Sequence, residues 1–390
     1  MTDKAYGKRF SAHPAFWIVC GGISVAIHIF FYFKIRAVTG PGWTSSLWLG
    51  WSFAMMELVF LTRKTDKINS GLQRKWTDRL GGVWLLFVII AFVIAIGTDI
   101  LGKFTSFDAA SSKQLPISFG LSAIIMLMGI RQANNIQTTC VTVATDKLPK
   151  GENNLRIVQL TDLHLGPWVG LPLLRQIVEK TIAANPDIVV VTGDLADGNL
   201  ENREDELEIL RKIKPRYGMF AVTGNHDYYD DIEAAEKFME SAGMKVLRSE
   251  GTEAGGILIV GADDRDHLEK KAWNLSASEL LVLSFAKEQK EKFLLLLRHR
   301  PIIEPGTEGH FDLQLSGHTH GGQLFPYLNS RHIIAGHDRG LKKLKCGGCL
   351  YVSNGAGFVG PPVRLLAPPE IVVIDLINTA QKCETNSKGR

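Results

Sequence analysis

Residues 155–166 read Leu-Arg-Ile-Val-Gln-Leu-Thr-Asp-Leu-His-Leu-Gly, a short β-like run that ends in the polar pair Asp162 and His164. Four later apolar runs end in potential metal ligands in the same way, namely Asp194, Asn225 with His226, His299, and His318 with His320. Each group alone has an ordinary explanation, because polar residues after a strand often serve as turn or capping residues. The recurrence of five such groups in order favours a shared functional site.

The apolar runs alternate with helical stretches, which is typical of an α/β or mixed-sheet domain. The pattern predicts strands over residues 156–160, 188–191, 218–222, 257–260, 293–297 and 313–315, and helices over 171–184, 232–242 and 277–287. Each polar group follows the carboxyl end of a predicted strand. Since those ends share one edge of an open α/β sheet, we expect the groups to converge on loops there.

These residue types suit a centre with two metal ions. Asp162 and His164 occupy alternate positions of an extended loop, so both side chains can reach one ion. His318 and His320 have the same spacing and could reach that ion or two neighbouring ions. Asp194 offers two carboxylate oxygens and is the natural shared ligand. Mixed oxygen and imidazole ligands suit Mn²⁺, Fe²⁺ or Zn²⁺, and two such ions roughly 3.5–4 Å apart would bind a phosphate and activate a water molecule.

The first third of the chain has a different composition. It contains four apolar stretches over residues 16–33, 43–62, 80–101 and 115–130. Each approaches the roughly 20 residues that a helix needs to cross a bilayer, the last one only with its flanks. A cleaved signal peptide is the alternative for the first stretch, but no small-residue cleavage site follows Phe33. We predict about four transmembrane helices in residues 1–133, a soluble domain over 134–380 and a disordered tail over 381–390.

Lys and Arg residues in short loops predict the orientation of these helices. One side carries Lys4, Lys8, Arg9, Arg63, Lys64, Lys67, Arg74, Lys75 and Arg79. The other side carries only Lys34, Arg36, Lys103 and Lys113. We therefore expect a multi-pass protein of the cell (inner) membrane, with both termini and the soluble domain in the cytoplasm.

Charge and cysteine content exclude some classes of function. Residues 1–133 contain 14 Lys and Arg and 6 Asp and Glu, which leaves 30 and 34 of the chain's totals of 44 and 40 for the mildly acidic remainder. That remainder lacks the basic character of a nucleic-acid binder. Five cysteines show no disulfide-framework spacing, and the close pair Cys346 and Cys349 lacks the second half of a zinc ribbon.

Two ionisable residues, His28 and Glu57, fall inside predicted membrane spans. Ionisable groups are costly in hydrocarbon and often functional there. The structural alternative is that they hydrogen-bond to each other or to backbone within the helical bundle.

The ordered set of Asp-x-His, Gly-Asp, Gly-Asn-His-Asp, a later His and Gly-His-x-His resembles the calcineurin-like metallophosphoesterase superfamily. Residues 155–166, 317–323 and 351–371 resemble its bacterial membrane-anchored branch, which ends in Gly-Pro-Pro-x-Arg (residues 360–364 here) and Pro-Pro-Glu-Ile (368–371). The resemblance covers roughly residues 135–377. It implies an α/β sandwich of two mixed β-sheets flanked by helices, with the site at one sheet edge, here preceded by an α-helical transmembrane bundle.

The resemblance also implies a role for each candidate residue. The first metal would be bound by Asp162, His164 and His320, and the second by Asn225, His299 and His318, with Asp194 between them. His226 would not be a ligand. It would donate to the phosphate or protonate the leaving oxygen, with Asp227 orienting it.

The sequence departs from the superfamily pattern at two places. Arg298 and Arg300 flank His299, where a small residue usually precedes the histidine, and their guanidinium groups could repel a cation or attract substrate phosphate. Asn354 stands where the branch usually carries an arginine, which leaves the role of that position in substrate binding open.

These observations favour a membrane-anchored, two-metal hydrolase of phosphomonoesters, phosphodiesters or pyrophosphates. The membrane anchor suggests an amphipathic, lipid-linked substrate, by analogy with relatives that cleave a lipid-linked nucleotide sugar. The alternative is a membrane sensor or transporter whose soluble domain binds metal or nucleotide without turnover. The complete ligand set together with His226 argues against that alternative.

Overall fold

The computed structural model describes residues 14–64, 72–104, 113–166, 168–198, 200, 203–228, 231–264, 277–303, 306–323, 337, 339–345 and 347–379. The tail predicted over 381–390 and Cys346 lie outside these residues. The chain divides into two compact units, one formed by the amino-terminal helices and the other by two β-sheets with their helices.

Each predicted apolar stretch lies in a helix. The four helices are α1 (Pro14–Thr39), α2 (Trp43–Lys64), α3 (Leu72–Gly102) and α4 (Gln114–Ala133). Within the described residues, three segments are long and apolar enough to cross a membrane, namely Gly21–Thr39, Arg79–Gly102 and Gln114–Ala133. A membrane crossing by α2 stays a prediction.

His28 is buried inside the helical unit. Its Nδ1 atom lies 2.8 Å from the carbonyl oxygen of Ser24, and its Nε2 atom lies 3.1 Å from Nε1 of Trp84. Because the tryptophan nitrogen can only donate, Nε2 of His28 accepts and Nδ1 donates to Ser24. His28 therefore makes the hydrogen bond to backbone that the structural alternative predicts.

The second unit contains two six-stranded sheets. In order across the sheet, the first consists of β1 (Gln137–Thr145), β12 (Glu370–Asn378), β2 (Asn154–Leu160), β3 (Ile188–Thr192), β4 (Met219–Val222) and β5 (Met244–Val246). The second consists of β10 (Gly340–Lys343), β11 (Cys349–Val352), β9 (Leu313–Ser316), β8 (Leu294–Arg298), β7 (Ile257–Ala262) and β6 (Glu250–Ala254).

Both sheets are mixed. In the first, β12 runs antiparallel to β2, whereas β2, β3 and β4 are parallel. In the second, β6 runs antiparallel to β7, whereas β7, β8 and β9 are parallel. The unit also contains the helices α5 (Leu171–Ala183), α6 (Glu204–Leu210), α7 (Ile232–Ser241) and α8 (Ala277–Glu288). The predicted sandwich of two mixed sheets flanked by helices is confirmed.

Strand β3 is buried on both faces, which explains its unbroken apolar run. Val190 belongs to the apolar cluster that joins the two sheets and that includes Leu295 of β8. Val191 belongs to a second cluster with Ile177 of α5. Full burial of one such side chain stabilises the fold by roughly 1.5–3 kcal/mol, so the strand ends that carry the polar groups are held rigidly.

Candidate metal centre

The carboxyl ends of five strands bring all the predicted site residues to loops of the two sheets. Three groups follow β2, β3 and β4, which are parallel neighbours in the first sheet. The other two follow β8 and β9, which are parallel neighbours in the second. Within each sheet, parallel neighbours end at the same edge. The strand order therefore explains the convergence within each sheet, and the 3.2 Å contact between Asp194 and His299 joins the two sets.

One group of potential ligands consists of Asp162, His164 and His320, all buried. Nε2 of His320 lies 3.2 Å from Oδ1 of Asp162 and 3.1 Å from Nε2 of His164. Burial lowers the pKa of His164, although the charge of Asp194 acts in the opposite direction. His164 is therefore neutral at neutral pH and offers a lone pair.

A second group consists of Asp194, His299 and His318. Nε2 of His299 lies 3.2 Å from Oδ2 of Asp194 and 3.2 Å from Nδ1 of His318. Nδ1 of His299 lies 2.9 Å from the carbonyl oxygen of Thr192, which can only accept, so this nitrogen carries the proton in the neutral ring. When the ring is protonated, Nε2 donates to Asp194, and loss of that proton would leave a lone pair on Nε2 for a metal ion.

Asp194 joins the two groups. Its Oδ2 atom lies 3.7 Å from Nε2 of His164 in the first group and 3.2 Å from Nε2 of His299 in the second. Burial tends to raise the pKa of Asp194, but the charges of His299 and His226 outweigh it and hold this pKa well below its usual value. Asp194 is therefore an ionised carboxylate with the position that a shared ligand needs.

The negative charge of Asp194 also changes the pKa of His299. Burial tends to lower the pKa of His299, but the charge of Asp194 and the hydrogen bond to it outweigh this and raise it to about 10. The charge of Asp194 therefore favours positive charge at this position. A set of largely buried carboxylates and imidazoles whose potential ligand atoms lie close together fits divalent ions of the Mn²⁺, Fe²⁺ and Zn²⁺ kind.

His226 lies beside the centre in the loop after β4. Its ligand atom, with those of His164 and Asp194, forms a third group within metal-binding range. Its Nδ1 atom lies 3.2 Å from Oδ1 of Asp197. Burial tends to lower the pKa of His226, but the charge of Asp194 and the hydrogen bond to Asp197 raise it above its usual value. His226 is therefore suited to carry a proton near neutral pH. Asn225, its neighbour in the same loop, is buried.

Asp227 does not have the predicted role of orienting His226. Its Oδ2 atom accepts hydrogen bonds from the backbone N–H groups of Asp194 (3.0 Å) and Gly224 (2.8 Å), and its Oδ1 accepts from that of Ala196 (3.1 Å). It ties the loop after β4 to the loop after β3. The carboxylate beside His226 belongs to Asp197, which the sequence reasoning missed. The sequence indicates this carboxylate only by the presence of a second acidic residue three positions after Asp194.

Glycines pack directly against the candidate ligands. A Cβ atom on Gly193 would lie 2.6 Å from Nδ1 of His299, and one on Gly317 would come within 3.0 Å of Oδ2 of Asp162. Real Cβ atoms essentially never approach other atoms so closely, so the backbone can lie against the centre only where the side chain is absent.

The backbone of the centre is itself strained. Five candidate ligands adopt left-handed φ angles, namely Asp162 (52°), His164 (49°), Asp194 (52°), His318 (71°) and His320 (53°). Non-glycine residues seldom adopt this region, and each such residue costs on the order of 1 kcal/mol. Strain of this kind concentrates at functional sites, where surrounding structure imposes it.

Of the arginines that flank His299, Arg300 makes an ion pair. Its Nε and Nη2 atoms lie 2.8 Å and 3.2 Å from the two carboxylate oxygens of Asp264. Arg298 is the last residue of β8 and is buried. The charge of Arg300 is thus offset by a carboxylate, which reduces the repulsion of a cation that its position in the sequence suggested.

Comparisons of the sequence find relatives among known proteins. The calcineurin-like phosphoesterase family matches residues 155–322, a range that contains all eight predicted site residues. A metallophosphoesterase of Aquifex aeolicus is 39% identical over 238 residues, which are 60% of this chain and 89% of that protein. A metallophosphoesterase of Campylobacter jejuni is 34% identical over 83% of this chain and 86% of its own length. A transmembrane protein with a metallophosphoesterase domain from Danio rerio is 32% identical over 76% of this chain and 71% of its own length.

Proposed function

The chain belongs to the calcineurin-like phosphoesterase family, and on this premise we propose that it is a membrane-anchored hydrolase that cleaves phosphoester or pyrophosphate bonds with metal-activated water. The observation that carries the proposal is the position of Asp194, whose Oδ2 atom lies between His164 of one ligand group and His299 of the other. A single carboxylate between two ligand groups is what a two-metal hydrolase requires.

Two divalent ions would share this carboxylate. Asp162, His164 and His320 would hold the first, and Asn225, His299 and His318 the second. When bound, such ions stabilise negative charge on a phosphate and lower the pKa of water towards neutrality. The mixture of carboxylate, amide and imidazole ligands suits Mn²⁺, Fe²⁺ or Zn²⁺.

The remaining chemistry belongs to His226. Its raised pKa means that a substantial fraction of the rings carries a proton near neutral pH, so His226 can protonate the leaving oxygen of the substrate. Asp197 accepts from Nδ1, which directs Nε2 away from this carboxylate. Asp227 keeps the two loops in register through its three backbone hydrogen bonds.

The helices suggest where the reaction takes place. Three segments of the described chain are apolar enough to cross a membrane, and the basic loops favour a multi-pass protein of the inner membrane with its catalytic domain in the cytoplasm. A hydrolase anchored in this way meets substrates that lie in the bilayer. We therefore propose an amphipathic, lipid-linked phosphoester or pyrophosphate as the substrate, and no nucleic acid.

Activity assays on the full-length chain in detergent test the proposal. The protein is stripped of metal, reloaded with Mn²⁺ and assayed with a phosphodiester, a phosphomonoester and a nucleotide-sugar lipid. We expect turnover of at least one of them and a loss of more than 10²-fold in Asp194→Asn, measured in the same preparation. Binding of metal or nucleotide without turnover of any substrate would favour the alternative of a sensor or transporter.

A further inference from the structure

Arg364 ends the Gly-Pro-Pro-Val-Arg segment, to which the proposed chemistry gives no role. Its side chain is completely buried, and it is the largest side chain so buried among the described residues. No carboxylate forms an ion pair with it in the part of the chain that the structure describes. A buried guanidinium without an ion pair destabilises the fold unless hydrogen bonds satisfy its donors.

Backbone carbonyl groups satisfy the guanidinium. Nε of Arg364 donates to the carbonyl oxygen of Gly357 at 3.0 Å. Nη1 donates to the carbonyl oxygens of Asn354 (2.9 Å), His320 (3.2 Å) and Ala367 (3.2 Å). The rigid fork of donors thus joins two loops, the connection between β11 and β12 and the loop after β9, which carries a candidate metal ligand.

Arg364 also contacts the ring of that ligand. Its Nη2 atom lies 3.1 Å from Nδ1 of His320. A guanidinium can only donate, so Nδ1 of His320 accepts this hydrogen bond. In the neutral ring the proton then lies on Nε2, which donates to Oδ1 of Asp162, 3.2 Å away, with Nε2 of His164 3.1 Å away.

A second path leads from Arg364 to Asp162. The loop whose carbonyl groups it binds lies against the backbone on either side of Asp162. The N–H of Ala356 donates to the carbonyl oxygen of Thr161 at 3.0 Å, and that of Gly357 donates to the carbonyl oxygen of Asp162 at 2.9 Å. Arg364 therefore supports two of the three ligands of one group. The contacts described for His299 and His318 do not involve it.

We propose that Arg364 is a positioning residue for one half of the metal centre. It holds the backbone of His320 and of Asp162 in place, and so controls the affinity for the ion that these residues would hold with His164. It leaves the second ion unaffected. This inference rests on the proposed two-metal function.

Metal titration of the full-length chain in detergent tests the inference. Apo protein is titrated with Mn²⁺, and binding is followed by calorimetry and by direct metal analysis. In Arg364→Gln we expect one of two ions to bind about 10- to 100-fold more weakly, with the other unchanged and full occupancy restored by excess Mn²⁺. Arg156→Gln is the matched control. Arg156 also binds a carbonyl group, that of Ala184, but it lies at the opposite end of β2 and pairs with Asp375, so both affinities should be unchanged.

Double variants identify the affected ion. The His318→Ala variant retains the group of Asp162, His164 and His320. Adding Arg364→Gln to it should lower the affinity for the remaining ion by the same factor. In a His164→Ala background it should have no effect. If thermal melting shows that Arg364→Gln does not fold, Arg364→Lys is titrated instead. This variant should bind the same ion more weakly, because an ammonium group reaches fewer of these carbonyl groups.

Two results separate the inference from its premise. A wild-type protein that binds no more than one ion contradicts the two-metal function itself. A wild-type protein that binds two ions, with variants of Arg364 that bind both as tightly or lose both equally, overturns the positioning role alone.

Discussion

Oδ1 of Asp197 lies 3.2 Å from Nδ1 of His226, so a carboxylate from the loop after β3 supports a histidine from the loop after β4. The pair resembles the arrangement that tunes a general acid, because the carboxylate fixes the ring and raises its pKa. Neither loop alone contains both residues. The pairing depends on β3 and β4 being adjacent and parallel.

Asp197→Asn should lower turnover by about 10- to 100-fold, in the range found for residues that support a functional histidine, with metal content unchanged. Asp197 raises the pKa of His226, so its removal lowers that pKa. If His226 acts in its protonated form, the alkaline limb of the pH–rate profile then moves to lower pH. A profile that keeps its alkaline limb in place would contradict this role for Asp197.

His226→Ala should lower turnover by about 10²- to 10⁴-fold, the usual range for a positioned acid, and leave the metal content nearly unchanged. Metal analysis and kcat are measured on the same preparation. The potential ligand atoms of His226, His164 and Asp194 lie close enough together to hold one ion, so the metal content of this variant tests whether His226 is a ligand. Loss of an ion in this variant would make His226 a ligand.

Metal binding should release protons. With its pKa raised to about 10, His299 is protonated at pH 7 before metal binds, and a ligand must be deprotonated. Affinity should therefore increase from pH 6 to pH 8, by up to about tenfold per unit for one linked proton. Calorimetry in buffers of different ionisation enthalpy measures the number released. Binding of two ions at pH 7 without proton release would contradict the assignment of His299 as a ligand.

Gly317→Ala should destabilise the centre, because its Cβ would overlap the side chains of Asp162 and Thr161. We expect a loss of roughly 1–3 kcal/mol in unfolding free energy together with weaker Mn²⁺ binding. Gly170→Ala is the control, since its Cβ would be in ordinary contact with Pro172 at 3.6 Å. It should leave metal affinity unchanged and cost less than about 1 kcal/mol as a helix-cap change.

Reporter fusions after Ile130 test the topology. With four spans and a cytoplasmic amino terminus, alkaline phosphatase fused at this point should be inactive. A fluorescent protein that fluoresces only in the cytoplasm should be fluorescent there. The opposite pattern would mean an odd number of crossings. It would place the catalytic domain outside the cytoplasm and shift the substrate towards extracytoplasmic lipids or cell-wall phosphoesters.

The sequence predicted the main strands and the convergence of the site because both depend on local patterns. A buried strand such as β3 reads as an apolar run, and the polar residues after it stand out against that run. Strand β1 was not predicted, although its residues alternate between more and less exposed positions. It lies at the edge of the sheet and pairs with β12, more than two hundred residues away, so no local signal specifies it.

The roles of the acidic residues near Asp194 could not be predicted for a different reason. The carboxylate beside His226 is that of Asp197, whereas Asp227, which the sequence predicts there, binds backbone N–H groups. Which of them faces His226 depends on how the loops fold, with left-handed backbone at Asp162, His164 and Asp194. Asp and His adopt this conformation more readily than most residues, but the local sequence does not specify where it occurs. The same constraint determines which oxygen of each carboxylate faces the centre.

The left-handed backbone of the five ligand residues has a consequence for protein engineering. At such positions glycine relieves strain, so a substitution that removes a ligand can also make the apo chain more resistant to heat. Selection for thermostability alone would then enrich variants with an incomplete centre. A screen of this protein for robustness therefore has to include a metal-dependent readout, because at these five positions the backbone conformation favours glycine whereas the proposed centre needs Asp or His.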